Sequence, residues 1–158
     1  MPSYSYQLIS KEEVCKFFLN QALHFYNKHE TLFYLSSINM AGIAEEILGK
    51  LIEKQGKDNA QALEIKTFKT VRQILDLEPM EDSDIRDNLL NKAKNVTKHG
   101  SGDLYLDPKS EAESILERAI KNYQIYYADE TEDMDSFLKC RYVENQEFIK
   151  RVTTYKAI

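Results

Sequence analysis

The chain is short of the residues that interrupt helices, with five glycines and three prolines in 158 residues. It also lacks any Asn-Gly or Asp-Gly pair, the strongest signal for a two-residue hairpin. Few or no strands are expected, and proline-free intervals rich in Leu, Ala, Glu and Lys predict an all-α chain. Cysteine is equally scarce. Cys15 and Cys140 stand far apart without CxxC spacing, which argues against a disulfide framework and predicts two free thiols. No apolar run approaches the roughly 18 residues that span a bilayer, and no signal peptide precedes the first helix. The expectation is a cytoplasmic protein with no membrane contact. P-loop and GxGxxG patterns are missing too.

What is present is charge, unevenly spread. The net charge of −5 disfavours a protein that coats nucleic acid non-specifically, since counterion release needs a broad positive field. Asp76, Glu78, Glu81, Asp82 and Asp84 form one acidic connector, and Asp129, Glu130, Glu132, Asp133 and Asp135 form another. From Arg86 to His99, Arg86, Lys92, Lys94 and Lys98 face a single carboxylate, Asp87. The region before His99 is therefore cationic on an acidic chain, and any polyanion should bind there locally.

Helix boundaries are well marked. Ser10-Lys11-Glu12-Glu13 is a capping box, opening a helix to about Asn27 with Val14, Phe17, Phe18, Leu23, Phe25 and Tyr26 as its core face. A second helix runs from Glu30 or Thr31 to Gln55 and stops at Gly56. Gly42 and Gly49, seven apart inside it, predict the close approach of another backbone. Asp58 to Leu77 reads as one helix or two joined near Lys66-Thr67. Ser83 or Asp82 caps a further helix whose Ile85, Leu89, Ala93 and Val96 share one side. Asp107-Pro108 opens the next one, with Ala112, Ile115, Leu116, Ala119, Ile120, Tyr123 and Tyr127 on its apolar face. A last helix begins near Asp133 and carries Met134, Phe137 and Leu138, while Val152 to Ile158 shows no period.

Most routes to catalysis can be set aside. Cys15 follows two glutamates that disfavour a thiolate, and Cys140 has no histidine nearby. His24 and His29 are five apart and match no metal-ligand spacing, so no metal and no cofactor are expected. His99 remains. Asn95 stands one turn before it, Asn88 and Asn91 continue an amide stripe, and Lys92, Lys94 and Lys98 supply charge. An imidazole can move a proton near neutral pH while an ammonium stabilises developing phosphoryl charge, a pair suited in principle to metal-free RNA cleavage. In a purely structural role, His99 would instead interact with the helix dipole, worth about 0.3–1 kcal/mol.

Lys94-Asn95-Val96-Thr97-Lys98-His99 resembles the Arg-Asn-x-x-x-His form of the motif of HEPN domains, the higher-eukaryote and prokaryote nucleotide-binding superfamily, with lysine at the arginine position. Ala44-Glu45-Glu46-Ile47-Leu48-Gly49-Lys50 is similar to the Glu-Glu-x-x-Gly-Lys helix of bacterial abortive-infection members. The resemblance implies an all-α, antiparallel, up-and-down bundle of five to six helices over residues 10–128, extended by helical residues 129–158. It further implies a homodimer whose motif helices meet at a cleft that binds or cleaves RNA, in a toxin–antitoxin or phage-defence setting with an antitoxin or other protein partner. In these terms His99, Asn95 and Lys94 are the catalytic candidates, Lys98, Lys92 and Asn91 the RNA contacts, and Glu45 and Glu46 supporting carboxylates, of which one is expected to face the motif. Lysine for arginine exchanges a planar fork for a point charge and predicts weakened chemistry. The alternative is a non-catalytic interaction or dimerisation module using Tyr123, Tyr126, Tyr127, Tyr142 and Tyr155.

Overall fold

The computed structural model describes residues 8–99 and 105–155, with side chains given outside positions 96, 98, 99 and 148–155. Among the described residues there are seven α-helices, one π-helical segment and no strand. The helices are α1 (Lys11–Tyr26), α2 (Thr31–Lys54), α3 (Ala60–Ile74), α4 (Asp82–Asp84), α5 (Lys92–His99), α6 (Pro108–Tyr127) and α7 (Glu132–Tyr155), with the π-helical turns at Ile85–Leu90. The chain is thus an all-α bundle.

Local chemistry sets the ends of the elements. The capping box forms, with the Glu13 N–H donating to Ser10 Oγ at 3.1 Å and the Ser10 N–H donating to Glu13 Oε2 at 2.9 Å. Gly56 takes φ 71°, the left-handed conformation that ends a helix without a Cβ clash. Asn59 caps α3 by accepting from the Ala62 N–H, and Asp107 caps α6 by accepting from the Lys109 and Ser110 N–H groups. The region from Asp58 to Leu77 resolves into a single helix.

The core is organised around α2, which packs most extensively against α1 and α6. Ser37 Oγ donates to the Ala22 carbonyl and the Tyr34 ring lies tilted against that of Tyr26, so α1 and α2 are antiparallel. Tyr26 reaches Glu113 while Tyr126 reaches Glu12, so α1 is antiparallel to α6 as well. It follows that α2 and α6 run parallel; between them α3 is antiparallel to α6, since Ala60 meets Asn122 and Glu64 meets Arg118, and after them α7 is antiparallel again, with Glu130 at Gln124 and Glu144 at Lys109, so the long helices alternate in direction. Leu19, Ile38, Leu48, Ile115, Leu116 and Ile120 are fully buried at the centre, and α7 closes the cluster with Met134 and Phe137.

Two apolar faces differ from the sequence reading. In α1 the inward residues are Cys15, Leu19, Ala22, Leu23 and Tyr26, a clean helical period, and Phe17 is 59% exposed with its edge against Phe18. Before α5, the Asn91 N–H bonds the Arg86 carbonyl, five residues back, at 2.8 Å. That wide turn shifts the helical phase, leaving Leu89 exposed and bringing Asn91 inside. The interior glycines also admit side chains where a backbone was expected. A Cβ on Gly42 would lie 2.6 Å from Lys94 Cδ, and one on Gly49 would lie 3.2 Å from Asn59 Nδ2.

Candidate functional site

The two segments that carried the family resemblance meet. Lys94, on α5, is 4% exposed, and its stem lies over Gly42 of α2. Its ammonium stands 3.0 Å from Glu46 Oε1 and 3.6 Å from Glu45 Oε2. Both carboxylates therefore face the motif helix, although consecutive helical residues point about 100° apart; a long lysine stem entering between them reaches each one.

Glu45 is itself the centre of a buried polar network. Arg118 of α6 donates through Nε to Glu45 Oε1 at 2.6 Å, and its Nη2 donates to the Leu90 carbonyl at 3.0 Å, tying the end of the π-helical segment to the core. Arg118 Nη1 lies 3.5 Å from Glu64 of α3. Asn122, one turn after Arg118, donates to the Glu45 carbonyl and accepts from the Ala60 N–H at 2.7 Å. Four helices are thereby fastened by one carboxylate and its neighbours. Buried ion pairs of this kind add little net stability when formed but are expensive to break, because the surviving charge is stranded in low dielectric. Glu45 Oε2 accepts no hydrogen bond among the described residues.

The site residues read from the sequence are distributed as follows. Lys94, Glu45 and Glu46 are brought together as an ion-paired group. Asn91 is buried, its Oδ1 accepting from Gln61 Nε2 at 3.0 Å. Asn95, Asn88 and Lys92 are exposed, so the amides do not form a single stripe: the π-helical turn rotates Asn91 away from its partners. The side chains of Lys98 and His99 lie outside the described residues; the backbone of His99 ends α5. Sequence reasoning missed Arg118, Asn122, Gln61 and Asn59. The first two had a signal, being polar residues one turn apart within the otherwise apolar run from Ile115 to Tyr123.

A cleft of about 190 Å³ opens beside this network, lined by Glu45, Glu46, Asn59, Gln61, Asn91 and Lys94 among others. On the other side of α6, a second polar group joins α1, α6 and α7. The Tyr26 hydroxyl donates to the buried Glu113 at 2.6 Å, and Arg141 holds Glu113 at 3.0 Å and Glu117 at 2.7 Å. Burial and the adjoining Glu113 carboxylate push the Tyr26 hydroxyl well above the usual phenol range.

Elsewhere the chemistry is sparse. Among the described residues no group of three His, Cys, Asp or Glu side chains could hold a metal ion. Both cysteines are free thiols, Cys15 buried and Cys140 exposed; burial pushes the Cys15 thiol up, away from reactivity. Of the tyrosines, Tyr123 is buried, Tyr126 and Tyr127 are half-buried and Tyr142 is exposed, while the side chain of Tyr155 lies outside the described residues. A larger groove of about 750 Å³ runs between α3, α6 and α7, with Leu63, Phe68, Val71, Leu138 and Tyr142 in its walls. No described helix is long and apolar enough to cross a membrane. Neither a family model, nor a curated protein, nor a solved structure matches this chain.

Proposed function

We propose that this chain is a HEPN-like domain that binds RNA along α5, as part of a dimer in a toxin–antitoxin or phage-defence type system, with its nuclease chemistry weakened. What carries the reading is the pairing of Lys94 with Glu45 and Glu46, which joins in space the two segments, about 45 residues apart, that each resemble that superfamily. Lys94 acts in this scheme as a positioning residue. With its charge offset by carboxylates, it aims α5 and leaves phosphate binding to the exposed Lys92 and Asn95 and to Lys98. His99 is the group for proton transfer. In cleavage the 2′-oxygen gives up its proton and bonds to phosphorus, the P–O5′ bond breaks, and a proton passes to the leaving 5′-oxygen. An internalised cation cannot brace that phosphorus as an exposed arginine fork would, so turnover is slow.

The test uses a labelled single-stranded RNA with wild type, Lys92→Ala, His99→Ala and Lys94→Arg proteins. Lys92→Ala should weaken binding for all sequences and reduce the salt slope by about one. His99→Ala should remove any cleavage while leaving binding in place. Absence of RNA binding, or indifference of both binding and products to all three changes, overturns the proposal.

A second reading, a protein-interaction module, is favoured by the face of α3 and its connector, where Val71, Ile74, Leu75 and Leu77 are all exposed. The buried and half-buried tyrosines do not contribute to it. Light scattering of wild type against Val71→Glu separates the two: loss of a complex with RNA binding intact assigns that face to protein contacts.

A further inference from the structure

We propose that the groove between α3, α6 and α7 is the docking site for an amphipathic helix of a protein partner, one carrying an acidic residue beside its apolar stripe. This rests on the interaction-module reading above and names the partner's chemistry. The groove holds about 750 Å³, and its form follows from the helix directions. Both α3 and α7 run antiparallel to α6, so they stand parallel to each other as walls with α6 as the floor. Leu63, Phe68 and Val71 line one wall, and Leu138 and Tyr142 line the other. From Leu63 to Val71 the wall is two turns long, about 12 Å. Val71 is 47% and Tyr142 66% exposed, and the face of α3 continues beyond the groove as the exposed Ile74 and Leu75. Three helices presenting side chains at helical spacing form a trough, and a fourth helix laid along it is the shape that fills it.

The charges in the groove set the sign of the partner. Five charged side chains line it: Glu64, Glu117, Arg118, Lys121 and Arg141. Arg118 donates to Glu45 at 2.6 Å, and its Nη1 lies 3.5 Å from Glu64. Arg141 donates to Glu117 at 2.7 Å and also holds Glu113 and Glu144. Both carboxylates of the groove are thus already faced by an arginine. Gln124 and Thr67 are engaged as well, with Glu130 and the Leu63 carbonyl. Lys121 differs: it is exposed and makes no ion pair among the described residues. An occupant that covers the apolar walls takes Lys121 partly out of water, a cost that an acid on the occupant offsets and a base increases. A second copy offering its own α3 stripe would bring Lys66, Lys69 and Arg72 against Glu64 alone, the wrong sign, so a foreign acidic helix is the better complement.

The test uses three synthetic peptides of about 18 residues, long enough to be partly helical in water. One has leucines at i, i+3, i+4 and i+7 flanked by glutamates, one has the same stripe flanked by lysines, and one has the composition of the first with its leucines scattered. Binding to the intact protein is followed by amide chemical-shift changes at about 0.15 M salt, which screens the chain's overall field. Because the net charge is −5, any residual long-range attraction favours the lysine peptide, so a preference for glutamate reports Lys121 locally. The glutamate-flanked peptide should bind wild type roughly threefold or more tightly than the lysine-flanked one, with shifts centred on residues 63, 71, 121 and 142. Lys121→Glu should invert that order, and Val71→Glu, at an exposed position, should weaken both peptides by roughly tenfold. An equal or opposite preference in wild type, an order unchanged by Lys121→Glu, equal binding of the scattered-leucine peptide, or no binding of any of the three overturns the proposal. If no peptide binds while light scattering still shows a complex that Val71→Glu dissolves, the interaction-module reading stands and this proposal falls. A complex of two wild-type copies that Tyr142→Glu dissolves, with no peptide bound, assigns the groove to a second copy and likewise overturns it.

Discussion

Replacing Gly42 by alanine should change sign with the residue at position 94. Alanine is favoured over glycine in a helix interior by about 1 kcal/mol. Here the added Cβ would come within 2.6 Å of Lys94 Cδ and 3.2 Å of Cγ, closer than van der Waals contact allows. The lysine stem cannot swing away freely, because its ammonium is held by Glu45 and Glu46 and the side chain is buried. Forcing extra volume into packed surroundings costs about 1–3 kcal/mol, so Gly42→Ala in the wild-type chain should destabilise by about 0–2 kcal/mol. In a Lys94→Ala background the stem is gone, only the helix-propensity gain remains, and the same change should stabilise by about 1 kcal/mol. The coupling between the two positions is then about 1–3 kcal/mol. Urea unfolding of the four proteins, followed by helical ellipticity, measures it. Equal effects of Gly42→Ala in both backgrounds would refute the idea that this glycine exists to admit the lysine.

Two further outcomes follow from the polar contacts. Arg118→Met should cost about 3–5 kcal/mol, since it strands the Glu45 carboxylate in the core; adding Glu45→Gln should recover more than half of the loss, and a loss below about 1 kcal/mol in urea unfolding would show the network to be slack. Stability should also fall on acidification, because hydrogen bonds from the Ser10 backbone to Glu13 and from Arg141 to Glu144 hold those carboxyls below their usual range. Acids depressed in the folded state stabilise it above their unfolded pKa, about 4.3 for Glu, and the contribution disappears as pH falls through the folded value. The urea midpoint should therefore drop below about pH 4, and Arg141→Met should flatten that dependence; a midpoint rising with acid would contradict it.

Element boundaries were legible wherever a side chain completes a backbone hydrogen bond. Ser10, Glu13 and Asp107 act at caps within three residues, and Gly56 supplies a conformation other residues avoid; such effects are local and survive without knowledge of the fold. The core face of α1 was misjudged because aromatic bulk at Phe17 outweighed the period set by Cys15, Leu19 and Ala22. Nothing in Ile85 to Leu90 announces a five-residue backbone bond, so the consequent burial of Asn91 could not be read from spacing. The candidate site was half visible. Lys94, Glu45 and Glu46 were singled out, but their union depends on α5 folding back over α2, and a lysine in a charged stretch gives no sign that it turns inward. Its one trace was Gly42, a residue whose missing side chain marks the space another one fills.

The π-helical segment before α5 carries a consequence for how this chain tolerates length changes. An α-helix advances about 100° per residue, so tightening these turns to regular α-helix with every residue kept would re-aim the whole of α5 by nearly a third of a revolution. Lys94 would leave its carboxylates and Asn91 its glutamine, while Ala93 would be turned off the core. Excising one residue between positions 85 and 90 would instead let the backbone become regular with α5 close to its present azimuth, so this stretch should forgive the loss of its surplus residue more readily than the loss of its wide turn.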